Sequence, residues 1–367
     1  LTAQGLPPGA TFNQTSTNGA SAAGTFTWTP TVFNEARTFN VTFTATGNCN
    51  ALTMSKTVNL TLTIPSSPAR WQATNIPKQG TFSTLLNVGT NLYAGQAGGG
   101  FYLSTSNGES WPRVDQTGLT STDIRALVVK TSGQTTSIFA ATTGGGVYRS
   151  TNNGVDWTAV NNGLNNTFVR AMALANDGTL FAGTLGGGVF FTTNNGTSWS
   201  QVNGGLGDLS VYALTVAGDT VYAGTDSSGV YSLLVSALGG ASPTWAAVGS
   251  GLPQSRVTTL KASSDGNTLF AGFNGAGVYR TTLQGAANWE GINIGLDNQT
   301  VNDLLFAGGR LYAGTDSGIY RFDSQNINWS SISDCLPFIP ITSLAVSGQT
   351  TKLFAATNDG RVFIRPL

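Results

Sequence analysis

The chain lacks several residue types on which common protein chemistries depend. Its 367 residues include no histidine, two cysteines and two methionines. Histidine-based acid–base catalysis and histidine-containing metal sites are therefore excluded, and two cysteines cannot build a four-cysteine zinc site. Charged side chains make up 9% of the residues, against roughly 25% in an ordinary soluble domain.

The few charges that are present are equal in number for the two signs. There are 17 Lys and Arg against 17 Asp and Glu, and because nucleic acids are bound through clusters of basic residues, we expect no nucleic-acid partner. No apolar run approaches the roughly 18 residues that a membrane-spanning helix needs, so we expect no membrane insertion of this chain. Hydroxyl and amide side chains must supply the solubility. Such a surface is commoner on secreted and cell-surface proteins, and it predicts an extracellular location.

Glycine is abundant, with 48 residues, and it recurs in one phrase along the chain. Leu92–Tyr102 and Ile138–Tyr148 are clear copies, and each predicts a strand, a tight glycine-rich turn and a second strand. Seven copies occur, at 92–102, 138–148, 180–190, 221–231, 269–279, 311–320 and 353–363. An apolar strand precedes each copy and a tryptophan strand follows most of them. Four strands per unit form the blade of a β-propeller, so we predict an all-β fold with seven four-stranded blades.

The tryptophans give a second count of the units. Seven of them recur at intervals of 40 to 46 residues, at Trp71, Trp111, Trp157, Trp199, Trp245, Trp289 and Trp329. The last hairpin has no tryptophan strand after it, and Trp71 has no hairpin of its own. We therefore predict that residues 71–74 supply the outer strand of the last blade and close the ring, which leaves no open sheet edge at the seam.

A further pattern, S/T-x-D/N-x-G-x-x-W, occupies three turns of the repeat. It occurs at 150–157 and 192–199, and at 104–111 with serine in the acidic position. The pattern resembles the Asp-box, or BNR, repeat of sialidases, sortilin-type receptors, xyloglucanases and photosystem assembly propellers. The resemblance covers about residues 70–367, and blades four, five and six depart from it. The residues that carry it are Ser104, Gly108, Trp111, Ser150, Asn152, Gly154, Trp157, Thr192, Asn194, Gly196 and Trp199.

The resemblance to the Asp-box family implies a folding element and no substrate site. The polar residue of the box caps a tight turn, and the tryptophan packs between blades. Function therefore cannot be carried over from the box, because one fold hosts many functions.

Residues 1–65 predict a separate domain, followed by a linker at 66–70 and the propeller at 71–367. Gly5–Phe12 and Gly24–Pro30 resemble the Ig-like (cadherin-like) β-sandwich modules of bacterial surface proteins. In such modules more sequence precedes the Leu-Pro-Pro-Gly turn, so we expect a sandwich that lacks one or two opening strands. Either the chain is a fragment of a longer protein, or a neighbouring chain donates a strand.

Aligning the inner strands places seven residues at one equivalent position, on the face where propellers usually bind ligands. They are Ser83, Arg125, Arg170, Tyr212, Thr258, Asn302 and Thr342. Arg125, Arg170 and Tyr212 predict a site that holds a carboxylate or an acidic sugar through bidentate arginine contacts. The alternative is that these three are solvated residues of the rim, with their stems packed between blades.

Asp226, Asp316 and Asp359 fall in hairpin turns on the same predicted face. Carboxylates there suit glycoside hydrolysis or Ca²⁺ binding, but Asp-Ser-Gly and Asn-Asp-Gly are also ordinary turn sequences, and we favour that interpretation. We expect no catalytic residue and no cofactor, with Ca²⁺ as the one weakly indicated ion. Cys49 and Cys335 permit one disulfide, intermolecular pairing or free thiols.

We expect a non-enzymatic extracellular protein of prokaryotic origin. It would serve as a binding or structural unit of a cell surface, surface layer or appendage. The protein would join that surface or appendage by self-association through strand donation to residues 1–65, or by contact with neighbouring surface proteins. The alternative is a carbohydrate-active propeller, either a lectin or a polysaccharide hydrolase, that uses the loop face.

Overall fold

A computed structural model describes the chain at residues 1–7, 9–17, 22–28, 38–49, 52–63, 70–78, 80–112, 114–133, 135–283, 288–334, 336–348 and 352–367. Residues 66–69 of the predicted linker, Cys335 and the side chain of Cys49 lie outside the described part. The chain divides into two compact units, Leu1–Arg70 and Trp71–Leu367.

The regular elements confirm the predicted all-β class. Apart from a short 3-10 helix at Val235–Gly239, every described element is a β-strand. No helix within the described ranges is long and apolar enough to cross a membrane.

The first unit contains five strands in two small antiparallel sheets. The strands are β1 (Thr2–Gln4), β2 (Thr11–Thr17), β3 (Ala22–Thr27), β4 (Thr38–Cys49) and β5 (Leu52–Thr63). One sheet has the order β1-β4-β5 and the other is the β2-β3 hairpin. Phe43 of β4 contacts the rings of Phe12 and Phe26 at 5.3 and 6.3 Å between centroids. These aromatic contacts join the two sheets.

Strand β5 has a polar face and an apolar face, and the apolar face is only partly covered. Its polar face forms cross-strand hydrogen bonds with β4, for example from Thr42 Oγ1 to Asn59 Oδ1 at 2.9 Å. On the apolar face, Val58 and Leu60 are 56% and 42% exposed. Among the described strands, β5 pairs with β4 alone. The outer edge and the apolar face of β5 are therefore open within the described part of this unit.

The described strands of the second unit form seven antiparallel sheets in chain order. The first contains β7 (Thr81–Val88), β8 (Asn91–Ala97) and β9 (Gly100–Ser104). The second contains β10 (Ile124–Ser132), β11 (Thr135–Thr142), β12 (Gly146–Ser150) and β13 (Thr158–Ala159). The third contains β14 (Val169–Leu174), β15 (Leu180–Thr184), β16 (Gly188–Thr192) and β17 (Ser200–Gln201). The fourth contains β18 (Val211–Ala217), β19 (Thr220–Thr225), β20 (Val230–Leu234) and β21 (Ala246–Ala247).

The remaining three sheets each have four strands. The fifth contains β22 (Val257–Ala262), β23 (Thr268–Phe273), β24 (Gly277–Thr282) and β25 (Glu290–Gly291). The sixth contains β26 (Val301–Ala307), β27 (Arg310–Thr315), β28 (Gly318–Asp323) and β29 (Asn328–Ser331). The seventh contains β30 (Ile341–Val346), β31 (Lys352–Thr357), β32 (Val362–Pro366) and β6 (Gln72–Ala73).

The sheets follow one another around a closed circle. The first strand of each sheet contacts the first strand of the next, and β30 of the seventh sheet returns to β7 of the first. The apolar core lies between neighbouring sheets: Tyr93 and Phe101 of the first sheet pack with Ile124, Ile138 and Trp157 of the second. Each sheet therefore buries both faces against its neighbours.

The seventh sheet takes its last strand from the start of the unit. In β6, Gln72 and Ala73 pair with Ile364 and Phe363 of β32. Trp71 is buried, and its indole Nε1 donates to the carbonyl of Ile332 at 2.7 Å. Four other tryptophans make the corresponding bond to the preceding sheet at 2.6 to 2.8 Å: Trp199 to Val160, Trp245 to Val202, Trp289 to Val248 and Trp329 to Ile292.

The three turns that fit the box pattern share one set of hydrogen bonds. The first hydroxyl accepts the N–H of the box glycine, in Ser104 from Gly108, Ser150 from Gly154 and Thr192 from Gly196. The next polar side chain accepts the backbone N–H of the residue four positions on, in Ser106 from Ser110, Asn152 from Asp156 and Asn194 from Ser198. The indoles of Trp111 and Trp157 donate to the carbonyls of their own box glycines.

The box glycines also form the contact with the preceding sheet. Their φ angles lie between +84° and +87°, a region that L side chains rarely adopt. A Cβ on Gly154 would lie 2.3 Å from the Phe101 ring, and one on Gly108 would lie 2.5 Å from the Phe354 ring. Only glycine allows the turn to approach the neighbouring sheet this closely.

Candidate ligand-binding site

Every inner strand carries a β-bulge at the same point, and the seven aligned residues occupy it. In each sheet the pairing between the first two strands skips one residue. The skipped residues are Ser83, Arg125, Arg170, Tyr212, Thr258, Asn302 and Thr342. A bulge turns the side chain that it carries out of the regular alternation, and all seven side chains line one cavity of about 260 Å³.

Four of these residues tie their sheet to the next one. Ser83 Oγ donates to the carbonyl of Ile124, Thr258 Oγ1 to that of Val301, Asn302 Nδ2 to that of Ile341 and Thr342 Oγ1 to that of Phe82. We call these four side chains the polar belt. They satisfy backbone carbonyls of the next sheet, so their role is structural.

The polar belt is interrupted across three consecutive sheets. At the second, third and fourth sheets the equivalent residues are Arg125, Arg170 and Tyr212, and none of them donates to a carbonyl of the next sheet in the described structure. Their larger side chains are therefore left for contacts within the cavity. The interruption distinguishes these three residues from the rest of the ring.

Arg125 is held in place by two neighbours. Its Nη2 donates to Asp123 Oδ2 at 2.9 Å and its Nε donates to Thr143 Oγ1 at 3.2 Å. The Arg125 and Asp123 side chains are 31% and 28% exposed. An ion pair at this exposure contributes little stability, but the two bonds fix the orientation of the guanidinium and leave its remaining N–H groups for a ligand.

Tyr212 lies beneath a second ion pair. The guanidinium carbon of Arg256 lies 4.1 Å from the centre of the Tyr212 ring, within the range of a cation–π contact. Arg256 Nε donates to Asp226 Oδ1 at 2.6 Å. Arg256 therefore connects Asp226 to Tyr212, and the carboxylate of Asp226 neutralises the charge of Arg256. We call Asp123, Arg125, Arg170, Tyr212, Asp226 and Arg256 the arginine cluster.

Arg170 differs from both of these arginines because it has no acidic partner. No hydrogen bond or ion pair joins its half-buried guanidinium to another described residue. Burial lowers the pKa of Arg170, the charges of Arg125 and Arg256 act in the same direction, and Tyr212 and Asp123 act against them. An arginine stays protonated in proteins. The positive charge of Arg170 is therefore partly desolvated, and the charges of Arg125 and Arg256 repel it. An anion bound beside Arg170 would offset both effects.

A second pair of charged residues, Asp303 and Lys261, lines the same cavity. Asp303 accepts hydrogen bonds from the backbone N–H of Leu344 at 2.7 Å and the hydroxyl of Ser343 at 3.2 Å. Burial raises the pKa of Asp303, although the Leu344 N–H, the charge of Lys261 and the Ser343 hydroxyl oppose it. Asp303 therefore binds backbone of the seventh sheet, while Arg170 has no such role.

The other two predicted acidic residues do not join the arginine cluster. Asp316 Oδ1 accepts from Asn302 Nδ2 of the polar belt at 2.8 Å. Asp359 accepts from Arg361 Nε at 2.8 Å and Thr357 Oγ1 at 2.6 Å. Partial burial works to raise the pKa of Asp359, but these hydrogen bonds and the charges of Arg361 and Lys78 outweigh it and lower the pKa. No group of three metal-ligating side chains occurs in the part of the chain that the structure describes.

Two residues of the cluster are missed by the sequence alignment. Asp123 and Arg256 each stand two positions before the bulge residue of their strand, in the loop that enters it. Comparing the residues two positions before each bulge residue would have placed Asp123 and Arg256 at one equivalent position around the ring. It would not have shown that Arg256 pairs with Asp226, because that contact joins two neighbouring sheets.

Comparison with solved structures supports the fold. The chain is similar to two crystal structures of the extracellular domain of BT4673 from B. thetaiotaomicron, which is described as a one-component system in one and as a hybrid two-component system in the other. Both have a TM-score of 0.63 and 17% sequence identity, and the matches cover 80% and 81% of this chain. They cover 39% of each BT4673 chain, so this chain spans less than half their length. Neither a protein-family model nor a curated protein sequence matches.

Proposed function

We propose that the chain is a non-enzymatic extracellular binding protein. The Trp71–Leu367 unit would be a seven-bladed β-propeller that takes a carboxylate-bearing ligand, such as an acidic sugar, at Arg125, Arg170 and Tyr212. The observation that carries this proposal is the Arg170 guanidinium, half-buried beside two arginines and without an acidic partner. Its planar fork of donors matches a carboxylate, which accepts two parallel hydrogen bonds.

The contacts of Asp226 and Asp316 support binding rather than hydrolysis. Asp226 pairs with Arg256, and Asp316 accepts from an amide of the polar belt. Glycoside hydrolysis needs one protonated and one ionised carboxyl group flanking the bond that is cleaved. The Asp226 carboxylate is instead occupied by its hydrogen bond from the Arg256 guanidinium.

The extracellular location is supported by the two structural neighbours. Both are extracellular domains of BT4673, which is described as a one-component system in one structure and as a hybrid two-component system in the other. The uncharged polar surface of this chain, with 9% charged residues, agrees with such a location. We therefore place the protein outside the cytoplasm as part of the same proposal.

Replacing Arg170 with alanine tests the ligand site. Titration calorimetry with glucuronate should show binding that Arg170→Ala weakens by about 10- to 100-fold, since hydrogen bonds to charged groups contribute about 1.5–3 kcal/mol. Asp316→Asn is the matched control on the same face, and it should leave the affinity unchanged. Equal binding of glucuronate by the wild type and Arg170→Ala contradicts the site. Glycoside hydrolysis that is lost in Asp226→Asn contradicts the non-enzymatic assignment.

A second candidate function, self-association, is favoured by the open edge of β5. Val58 and Leu60 are exposed on its apolar face, and its outer edge has no partner strand among the described residues. Exposed edges of this kind accept a strand from another chain. We propose that a second copy of this chain, or a neighbouring surface protein, supplies that strand and builds an assembly.

The oligomeric state tests the strand-donation proposal. Sedimentation velocity of the full chain at increasing concentration should show association, and Val58→Lys with Leu60→Lys should abolish it by charging the docking face. Thr57→Lys with Thr61→Lys adds the same charge to the other face of β5 and should have a smaller effect. A wild-type chain that stays monomeric throughout would overturn this candidate.

A further inference from the structure

Phe168 is an exposed aromatic residue at the edge of the arginine cluster. It stands two positions before Arg170, at the place that Asp123 and Arg256 occupy in the second and fifth sheets. The other four residues at this position are Thr81, Ser210, Thr300 and Pro340. Phe168 is thus the one aromatic residue among the seven. It is 51% exposed, whereas the adjacent Val169 is fully buried.

The fold does not require a phenyl ring at this position. The backbone carbonyl of Phe168 accepts the N–H of Leu185 in the hairpin turn of the same sheet at 3.0 Å, and Asp123 accepts from Thr143 in the same way. This bond uses the main chain alone, and serine, threonine and proline make it in the fourth, sixth and seventh sheets. The side chain of Phe168 is therefore available for a contact with another molecule.

Strand pairing places the Phe168 side chain on the side of Arg125. Phe168 forms an antiparallel bridge with Thr143 of the second sheet. Side chains directly opposite each other in such a pair lie on the same face, with their Cβ atoms about 4.5–5.5 Å apart. Thr143 Oγ1 accepts from Arg125 Nε at 3.2 Å. The Cβ of Phe168 therefore lies close to the contact between Thr143 and Arg125, and Arg170 follows two residues along the chain.

The aromatic ring within the arginine cluster is less available than Phe168. The guanidinium carbon of Arg256 lies 4.1 Å from the centre of the Tyr212 ring, so one face of that ring is occupied. Leu209 adds a second exposed apolar side chain near Phe168. It is 40% exposed, and its carbonyl accepts from Gly186 N at 3.1 Å in the same hairpin turn that contacts Phe168.

The ion pairs of the cluster leave one position for an acidic group. Asp123 and Asp226 pair with two of its arginines, whereas Arg170 has no acidic partner in the described part of the chain. Two residues of extended chain span roughly 7 Å, which is comparable to the width of one sugar ring. A group attached to a sugar ring whose carboxylate is bound at Arg170 therefore reaches Phe168.

We propose that the ligand of this site is amphipathic, an acidic sugar joined to an aromatic group, as in an aryl uronide. Arg170 binds the carboxylate, and Phe168 packs against the aromatic group with Leu209 beside it. Packed aromatic rings add binding free energy beyond the area that they bury. The inference rests on the proposed function, since the acidic end is bound by the carboxylate site. Phe168 then sets the preference for an aryl uronide over the free acidic sugar.

Calorimetry on the full chain tests this preference with three probes, which are glucuronate, para-nitrophenyl glucuronide and the neutral para-nitrophenyl glucoside. We expect the glucuronide to bind about 5- to 10-fold more tightly than glucuronate, the range for one aromatic pair. The glucoside should bind at least about 10-fold more weakly than the glucuronide, because it lacks the carboxylate. Phe168→Ala should remove the advantage of the glucuronide and leave the affinity for glucuronate within about twofold. Phe168→Tyr keeps the ring and should keep the advantage.

Phe338→Ala is the matched control, because it removes another exposed phenyl ring, 90% exposed, from the loop that enters the seventh sheet. It should change neither affinity. Equal binding of glucuronate and the glucuronide by the wild type overturns the proposal. An equal loss of both in Phe168→Ala also overturns it, since the residue would then support the loop and not the ligand.

Arg170→Ala separates this inference from the proposed function. If it leaves glucuronate binding unchanged, the carboxylate site itself fails. If it weakens both acids while Phe168→Ala leaves the affinity for the glucuronide unchanged, the carboxylate site holds and the aromatic contact fails.

Discussion

Trp71→Ala is expected to lower the free energy of unfolding of the Trp71–Leu367 unit by about 3–5 kcal/mol, the range for truncating a large buried aromatic side chain. Trp71 is 3% exposed and packs in a cluster with Ile332, Ile341 and Phe363. Its indole also bonds the Ile332 carbonyl, 261 residues away in sequence. The substitution therefore removes core contacts and one of the two hydrogen bonds to the Ile332 carbonyl, which also accepts from Arg365 Nη1 at 2.6 Å.

Chemical denaturation followed by tryptophan fluorescence measures this effect. Trp71→Phe keeps most of the ring packing and loses the hydrogen bond, so it should cost less than Trp71→Ala. Trp28→Ala, in the other unit, is the matched control and should leave the transition of the Trp71–Leu367 unit in place. If Trp71→Ala leaves the midpoint unchanged, β6 does not close the seventh sheet in solution.

Gly154→Ala is expected to lower the free energy of unfolding by about 2–5 kcal/mol. The φ angle of Gly154 is +87°, and an L residue in the left-handed region costs roughly 1–2 kcal/mol. The new Cβ would also lie 2.3 Å from the Phe101 ring, and overpacking of a core typically costs about 1–3 kcal/mol. The first effect is local to the turn, and the second arises from the contact between the second sheet and the first.

Gly144→Ala separates these two effects. Gly144 has a φ angle of +90°, but a Cβ there would meet no atom within 4 Å. It should therefore show the conformational cost alone, measured by the same denaturation experiment. Equal costs for Gly144→Ala and Gly154→Ala would mean that the box glycine does not hold the two sheets together.

The repeat made much of the fold predictable. The glycine-rich hairpins and their apolar strands predict antiparallel sheets, since a tight turn permits only that pairing. The alignment of the inner strands also predicts the seven residues that line the central cavity. Each of these features is local, because it depends on residues within one repeat.

The contacts between repeats could not be predicted in this way. Arg125 and Arg170 stand out in the sequence, but the alignment gives no sign that Asp123 pairs with the first and that the second has no acidic partner. The role of Asp226 depends on Arg256 of the next sheet. A pattern of residue types does not report which side chains meet across a sheet interface.

By itself, the sequence determined the all-β class, the repeat and the absence of histidine chemistry, because these follow from composition and short-range spacing. Only the tertiary structure decided which of the equivalent ring residues tie one sheet to the next and which do not. The physical reason is that burial and hydrogen bonding across sheets arise from residues about 40 positions apart, and those distances appear only when the repeats pack.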